Sequence, residues 1–144
     1  RILILATLDW TDSLVLGDAR IDQTHREFVD MLNAVGDASD EAMLSAIDAL
    51  IAHTEEHFGQ EQRWMAATDF PPTHCHLDEH TGVLGAMQET RNYVADGKYN
   101  VGRVLARELA TWFTSHAATM DNMLAQWLKE RNFDTAREVE SVAG

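Results

Sequence analysis

Residues able to ligate a metal sit inside the apolar stripes of four successive amphipathic segments. That placement restricts the chain to folds in which four helices meet around one point. The residues are His25, then His57-x-x-x-Glu61, then His76-x-x-x-His80, then His116-x-x-x-x-Asp121. At ~100° per residue, a position four further on lies about 40° round a helix, so His57 shares a face with Glu61 and His76 with His80. His116 and Asp121 are about 140° apart by the same arithmetic, which predicts that they flank a seam and reach inward from both sides.

The segments are read from apolar recurrence at threes and fours. The first is predicted from Ile21 to Val35, with Ile21, Phe28, Val29, Leu32 and Val35 as its stripe and His25 on it. Asp18 or Asp22 would cap its start. Gly36 to Asp40 reads as a loop, with Ser39 or Asp40 as the next cap. The second helix is predicted from Glu41 to Ala67 and stops at Thr68-Asp69-Phe70-Pro71-Pro72, because proline cannot continue a helix. The third runs from Thr73 to Ala95 and ends at Asp96-Gly97. The fourth runs from Asn100 to Lys129, with Leu105, Leu109, Trp112, His116, Met123 and Trp127 along its seam.

Four such helices with short connections predict an all-α, up-down-up-down four-helix bundle over 21–130. An extended N-terminal arm over 1–20 precedes it, with Trp10 available to pack on the bundle end. A polar C-terminal tail over 131–144 follows, read as either a short extra helix or disordered.

A chain of 144 residues suits one domain and buries a core without disulfides. Its net charge of −13 argues against nucleic acid or an anionic membrane as a partner. The single cysteine, Cys75, excludes an intrachain disulfide and points to a reducing compartment. The opening Arg1 to Ala6 is apolar but too short to span a bilayer, and it lacks a signal-peptide layout. A cytoplasmic location is the expectation.

A lone histidine on an apolar face is ordinarily a hydrogen-bonded core residue, and His-x-x-x-Glu is ordinarily a solvated pair. The set reads differently. Every helix supplies at least one donor, and an unpaired carboxylate such as Glu61 on an apolar seam would be costly. A pair of metal ions explains all the buried polar groups together. Nitrogen and oxygen donors of this kind suit iron, or less specifically manganese, zinc or cobalt. Ferritin-like centres need paired Glu-x-x-His motifs, and this chain has none; its nearest relative is Asp22-x-x-His25. The surplus of imidazole over carboxylate disfavours a strongly oxidising oxygenase centre.

The order His, His-x-x-x-Glu, His-x-x-x-His, His-x-x-x-x-Asp resembles the hemerythrin family, and the bacterial hemerythrins in particular. Asp9-Trp10, Ile21-Asp22-x-x-His25, His57-Phe58-x-x-Glu61 with Met65, Phe70-Pro71 and Trp112-Phe113-x-x-His116 agree with it. The resemblance implies an oxo- or hydroxo-bridged di-iron centre. His76, His80 and His116 would hold one iron, His25 and His57 the other, and Glu61 and Asp121 would bridge. The first iron is then saturated, and the second keeps one open position for dioxygen. Phe28, Trp112 and Phe113 would wall that position. The implied function is reversible dioxygen binding for storage, delivery or scavenging, without enzymatic turnover, and an unidentified protein that receives oxygen is a second expected partner. The rival readings are a sensor of oxygen, nitric oxide or redox state, and a di-iron oxidase or iron-repair protein. Thr24, Gln62 and Phe113 differ from residues frequent in the family, all outside the ligand set. His53, His74 and Cys75 read as ordinary surface or packing residues.

Overall fold

The computed structural model describes residues 6–137. Residues 1–5, most of the apolar opening read as too short to span a bilayer, and 138–144, the end of the tail, lie outside the described residues. The elements are a 3-10 turn (Asp12–Leu14), α1 (Ala19–Asp37), α2 (Asp40–Ala67), α3 (Thr73–Ala95), α4 (Asn100–His116), a π-helical turn (Ala117–Asp121) and α5 (Asn122–Glu130). The last three run on without a break as the fourth column of an all-α four-helix bundle. α1 packs on α2 and α4, and α3 packs on the same two, so sequence neighbours are neighbours in space. Among the described residues there is no strand, and no helix is long and apolar enough to cross a membrane.

Local chemistry sets the ends. Asp18 caps α1, accepting from the backbone N–H groups of Arg20 and Ile21. Asp22, the other candidate cap, instead accepts from Leu16 and Gly17 of the arm at 2.8 and 3.1 Å. Ser39 caps α2 through the N–H of Ala42. α1 runs through Gly36, which was expected to begin the loop. Gly36 serves a different purpose there: a Cβ on it would overlap the Thr7 hydroxyl, so the arm passes directly over it.

α2, α3 and α5 end in one pattern. Asp69 (φ 51°), Gly97 (φ 90°) and Asn132 (φ 53°) turn left-handed. The next residue then donates back five positions: Phe70 to Met65 at 3.1 Å, Lys98 to Tyr93 at 3.0 Å and Phe133 to Leu128 at 3.0 Å. This is the Schellman closure. It folds Phe70 and Phe133 back onto the apolar residues near their own helix ends.

The arm does not sit on the bundle end. It runs antiparallel to α1, with Leu8 exchanging two hydrogen bonds with Asn33 at 2.9 and 2.8 Å. Trp10 lies along α1 under the Arg26 guanidinium, 4.9 Å from its ring centre. Through Arg137 the tail is a series of turns, and the buried Thr135 donates to the Asp18 carboxylate at 2.8 Å, tying the segment after α5 to the start of α1 at the same end of the bundle.

The core comes in two parts. One cluster gathers Phe28, Leu32, Met43, Leu50, Phe58, Met87, Leu109, Phe113 and their neighbours. The other gathers Ile21, Trp64, Met65, Phe70, Leu124 and Leu128. His25 falls between Ile21 and Phe28, Glu61 between Phe58 and Trp64, and Asp121 between Ala117 and Leu124. The polar residues therefore form a layer closed above and below by apolar packing.

Candidate metal centre

All seven residues of the sequence set are buried and converge in that layer: His25, His57, Glu61, His76, His80, His116 and Asp121. Each histidine turns its Nε2 inward. Glu61 divides its two oxygens. Oε2 is 2.7 Å from His57 Nε2 and 3.9 Å from His25 Nε2, while Oε1 is 3.1 Å from His76 Nε2 and 3.5 Å from His80 Nε2. Asp121 divides likewise. Oδ2 faces His25 Nε2 at 3.1 Å, and Oδ1 faces His76 and His116 Nε2 at 3.2 and 3.0 Å. The donors thus fall into two groups able to hold an ion, His25–His57–Glu61 and Glu61–His76–His80–His116–Asp121, with Glu61 in both.

The π-helical turn explains how Asp121 reaches the cage. Asn122 N–H bonds to Ala117 O, five residues back, which is the π register. The expected ~140° between His116 and Asp121 assumed an unbroken α-helix. One residue of extra slack brings the two onto the same face instead. It also shifts everything downstream. Met123, expected on the seam, is 55% exposed, and Leu124, Ala125 and Leu128 are buried in its place.

The electrostatics are those of a cage built for positive charge. Transferring a carboxylate from water into a protein interior costs on the order of several kcal/mol, and a domain has only ~5–15 kcal/mol of net stability. Two carboxylates in mid-core therefore need strong compensation. Burial drives the His25 and His76 imidazoles down, but the Asp121 and Glu61 carboxylates that face them overcome it and leave both at about 9. Burial raises Glu61 and Asp121, yet the surrounding imidazoles win and hold both carboxyls well below the usual range. His80 is driven down to about 3, chiefly by burial. Protons alone satisfy the set incompletely. His25 Nε2 and both Asp121 oxygens are buried without a well-aligned hydrogen bond, and His80 Nε2 lies 3.3 Å from His116 Nε2. Unpartnered lone pairs aimed at common points fit metal ions.

The aromatic surroundings differ from one side of the cage to the other. Phe113 meets His25 edge-on at 5.1 Å and Phe28 at 4.8 Å, and Phe28 lies 6.5 Å from His57. Trp112 meets Phe113 at 6.5 Å but turns its face elsewhere. It stacks on His116 at 4.5 Å, because its helix turns it toward α3. Phe58 stacks flat on His80 at 3.6 Å. His53 pairs with Glu27 at 3.3 Å outside the cage, His74 is a surface residue beside Asp78, and Cys75 is exposed.

Sequence reasoning missed Glu79. Its Oε1 accepts from both His116 Nδ1 and Trp112 Nε1, each at 2.8 Å. A signal was available: an imidazole that ligates a metal through one nitrogen commonly gives the N–H of the other to a carboxylate or carbonyl. Glu79 directly precedes His80, and α3 is an immediate neighbour of α4.

A four-helix bundle closed around five imidazoles and two shared carboxylates defines a class, the helical bundles that carry metal in their core. Within that class the chain belongs to the hemerythrin family, for the family model of the hemerythrin HHE cation-binding domain matches residues 16–128. It is 47% identical over 134 residues to a bacteriohemerythrin of Ralstonia nicotianae, covering 93% of this chain and 98% of that protein. It is 28% identical to a bacteriohemerythrin of Stenotrophomonas maltophilia, covering 95% and 92%. In three dimensions it is similar to the crystal structure of a hemerythrin point mutant, with TM-score 0.79 and 22% identity over 86% of this chain and 98% of that one, which speaks to the fold.

Proposed function

We propose that the protein holds a pair of iron ions and binds dioxygen reversibly, as a store, carrier or scavenger rather than an enzyme. The observation that carries this is the division of Glu61 and Asp121, each with one oxygen toward His25 or His57 and the other toward the remaining imidazoles. Carboxylates so placed could serve two ions at once. His76, His80 and His116 would hold one, and His25 and His57 the other. The second would then have one imidazole fewer, which would leave room for dioxygen beside His25 and His57. An iron pair held there would supply the two electrons that dioxygen takes up on binding and gives back on release.

The chain's own residues keep the exchange reversible. Phe28 and Phe113 set apolar ring edges beside His25, which keep water and protons off that side of the cage. The imidazole and carboxylate donors leave little room for a second substrate beside dioxygen, which separates binding from oxygenation.

The experiment is an absorption spectrum of the reduced, iron-loaded protein before and after air. A nearly colourless solution gains a visible charge-transfer band at about one dioxygen per two irons, and sparging with argon bleaches it again. Phe113→Ala admits water and speeds irreversible oxidation. Immediate conversion to a ferric form that argon does not reverse overturns the carrier reading and favours a redox sensor or an oxidase.

A further inference from the structure

His116 differs from His25, His57 and His80 in what stands behind it. On His25, His57 and His80 the Nδ1 is buried without a partner. On His116 the Nδ1 donates to Glu79 Oε1 at 2.8 Å. The same oxygen receives the indole N–H of Trp112 at 2.8 Å, while the Trp112 ring lies against the His116 ring at 4.5 Å and 24°. Carboxylate, indole and imidazole form one closed set, contributed by α3 and α4. An imidazole that gives its Nδ1 proton to a carboxylate has its lone pair on Nε2, and here Nε2 points into the cage, 3.0 Å from Asp121 Oδ1. The hydrogen bond also pushes electron density across the ring toward Nε2.

We infer that Glu79 is a positioning residue for the His116 side of the cage. With Trp112 as its second donor it fixes the tautomer, the ring plane and the electron richness of one imidazole. The two metal positions thereby become unequal in affinity and in redox preference. The inference deepens the proposed function, since it rests on His116 serving as a ligand. It also reassigns Trp112 from a wall of the oxygen vacancy to a clamp on the opposite side.

Stepwise titration of the metal-free full chain with zinc or cobalt, by competition against a chromophoric chelator, tests it without oxygen chemistry. In Glu79→Ala one of the two binding steps weakens by about 10–100-fold while the other holds. Glu79→Gln keeps an acceptor oxygen without its charge and restores part of that loss. After iron loading, Glu79→Gln raises the midpoint potential, a shift that a purely structural role would not give. Trp112→Phe keeps the stacked ring, loses the second donor and moves the same binding step less. Unchanged affinities and potential in both Glu79 variants overturn the inference and leave the proposed function standing. Equal weakening of both steps with a lower melting temperature also overturns it, since Glu79 is then only structural. A wild-type chain that takes up no second ion overturns the pair reading and this inference together.

Discussion

At the scale of single residues, the cage turns on two short carboxylates that each face two ways. Glu61→Ala removes the oxygens that face His57 on one side and His76 and His80 on the other. Elemental analysis should then fall from about two metal ions per chain to below about one, because both positions lose a donor at once. His53→Ala and His74→Ala should keep wild-type content, as the first pairs with Glu27 and the second with Asp78, both outside the cage. Metal lost from His74→Ala but kept in His76→Ala would contradict the register of α3. The seven donors were legible in the sequence because each sits on an apolar stripe, where a charged or imidazole group needs a reason to be. Glu79 was not legible in the same way. It is only half-buried, and its importance comes from what faces it across α4 rather than from its own helix.

At the scale of elements, the π-helical turn does two things that an α-helix cannot do together. It lets Asp121 join His116 on the inner face and still delivers Leu124 and Leu128 to the lower core. Deleting the exposed Thr119 should restore an unbroken α register and force a choice. Either Asp121 leaves the cage or the Leu124–Leu128 stripe leaves the core. We expect loss of at least one metal position together with a lower melting temperature. Full metal content in that deletion, with unchanged stability, would show the turn to be incidental. The same turn marks where sequence reading stopped. α3 was read end to end because Pro71-Pro72 and Asp96-Gly97 punctuate it, and the observed helix is Thr73–Ala95. The fourth helix carries no such mark at its phase change, so a fixed period put Met123 on the seam and left Leu124 off it. The course of the arm and the turn of the tail were illegible for another reason. They depend on pairings such as Thr135 with Asp18, 117 positions apart, which no local pattern encodes.

At the scale of the whole molecule, the polar layer is both the middle of the core and its weakest point without metal. Five imidazoles and two carboxylates are then left to satisfy one another with protons. Ligand that binds the folded state alone stabilises it by about 2.7 kcal/mol when free ligand exceeds Kd a hundredfold, equivalent to about 10 °C for a domain of this size. Thorough chelation should lower the melting temperature by at least that amount, and reloading should restore it; an unchanged melting curve would remove metal from the account of stability. The donors come from every column of the bundle, from His25 on α1 to Asp121 before α5, and none is more than 5% exposed. The surface still comes close to that layer at two places: His57 lines a hollow with His53 and Gln60, and His80 lines one with Phe58 and Leu84. An ion exchanging with solvent would pass one of those two imidazoles, so bulk placed in either hollow should slow its uptake and its loss alike.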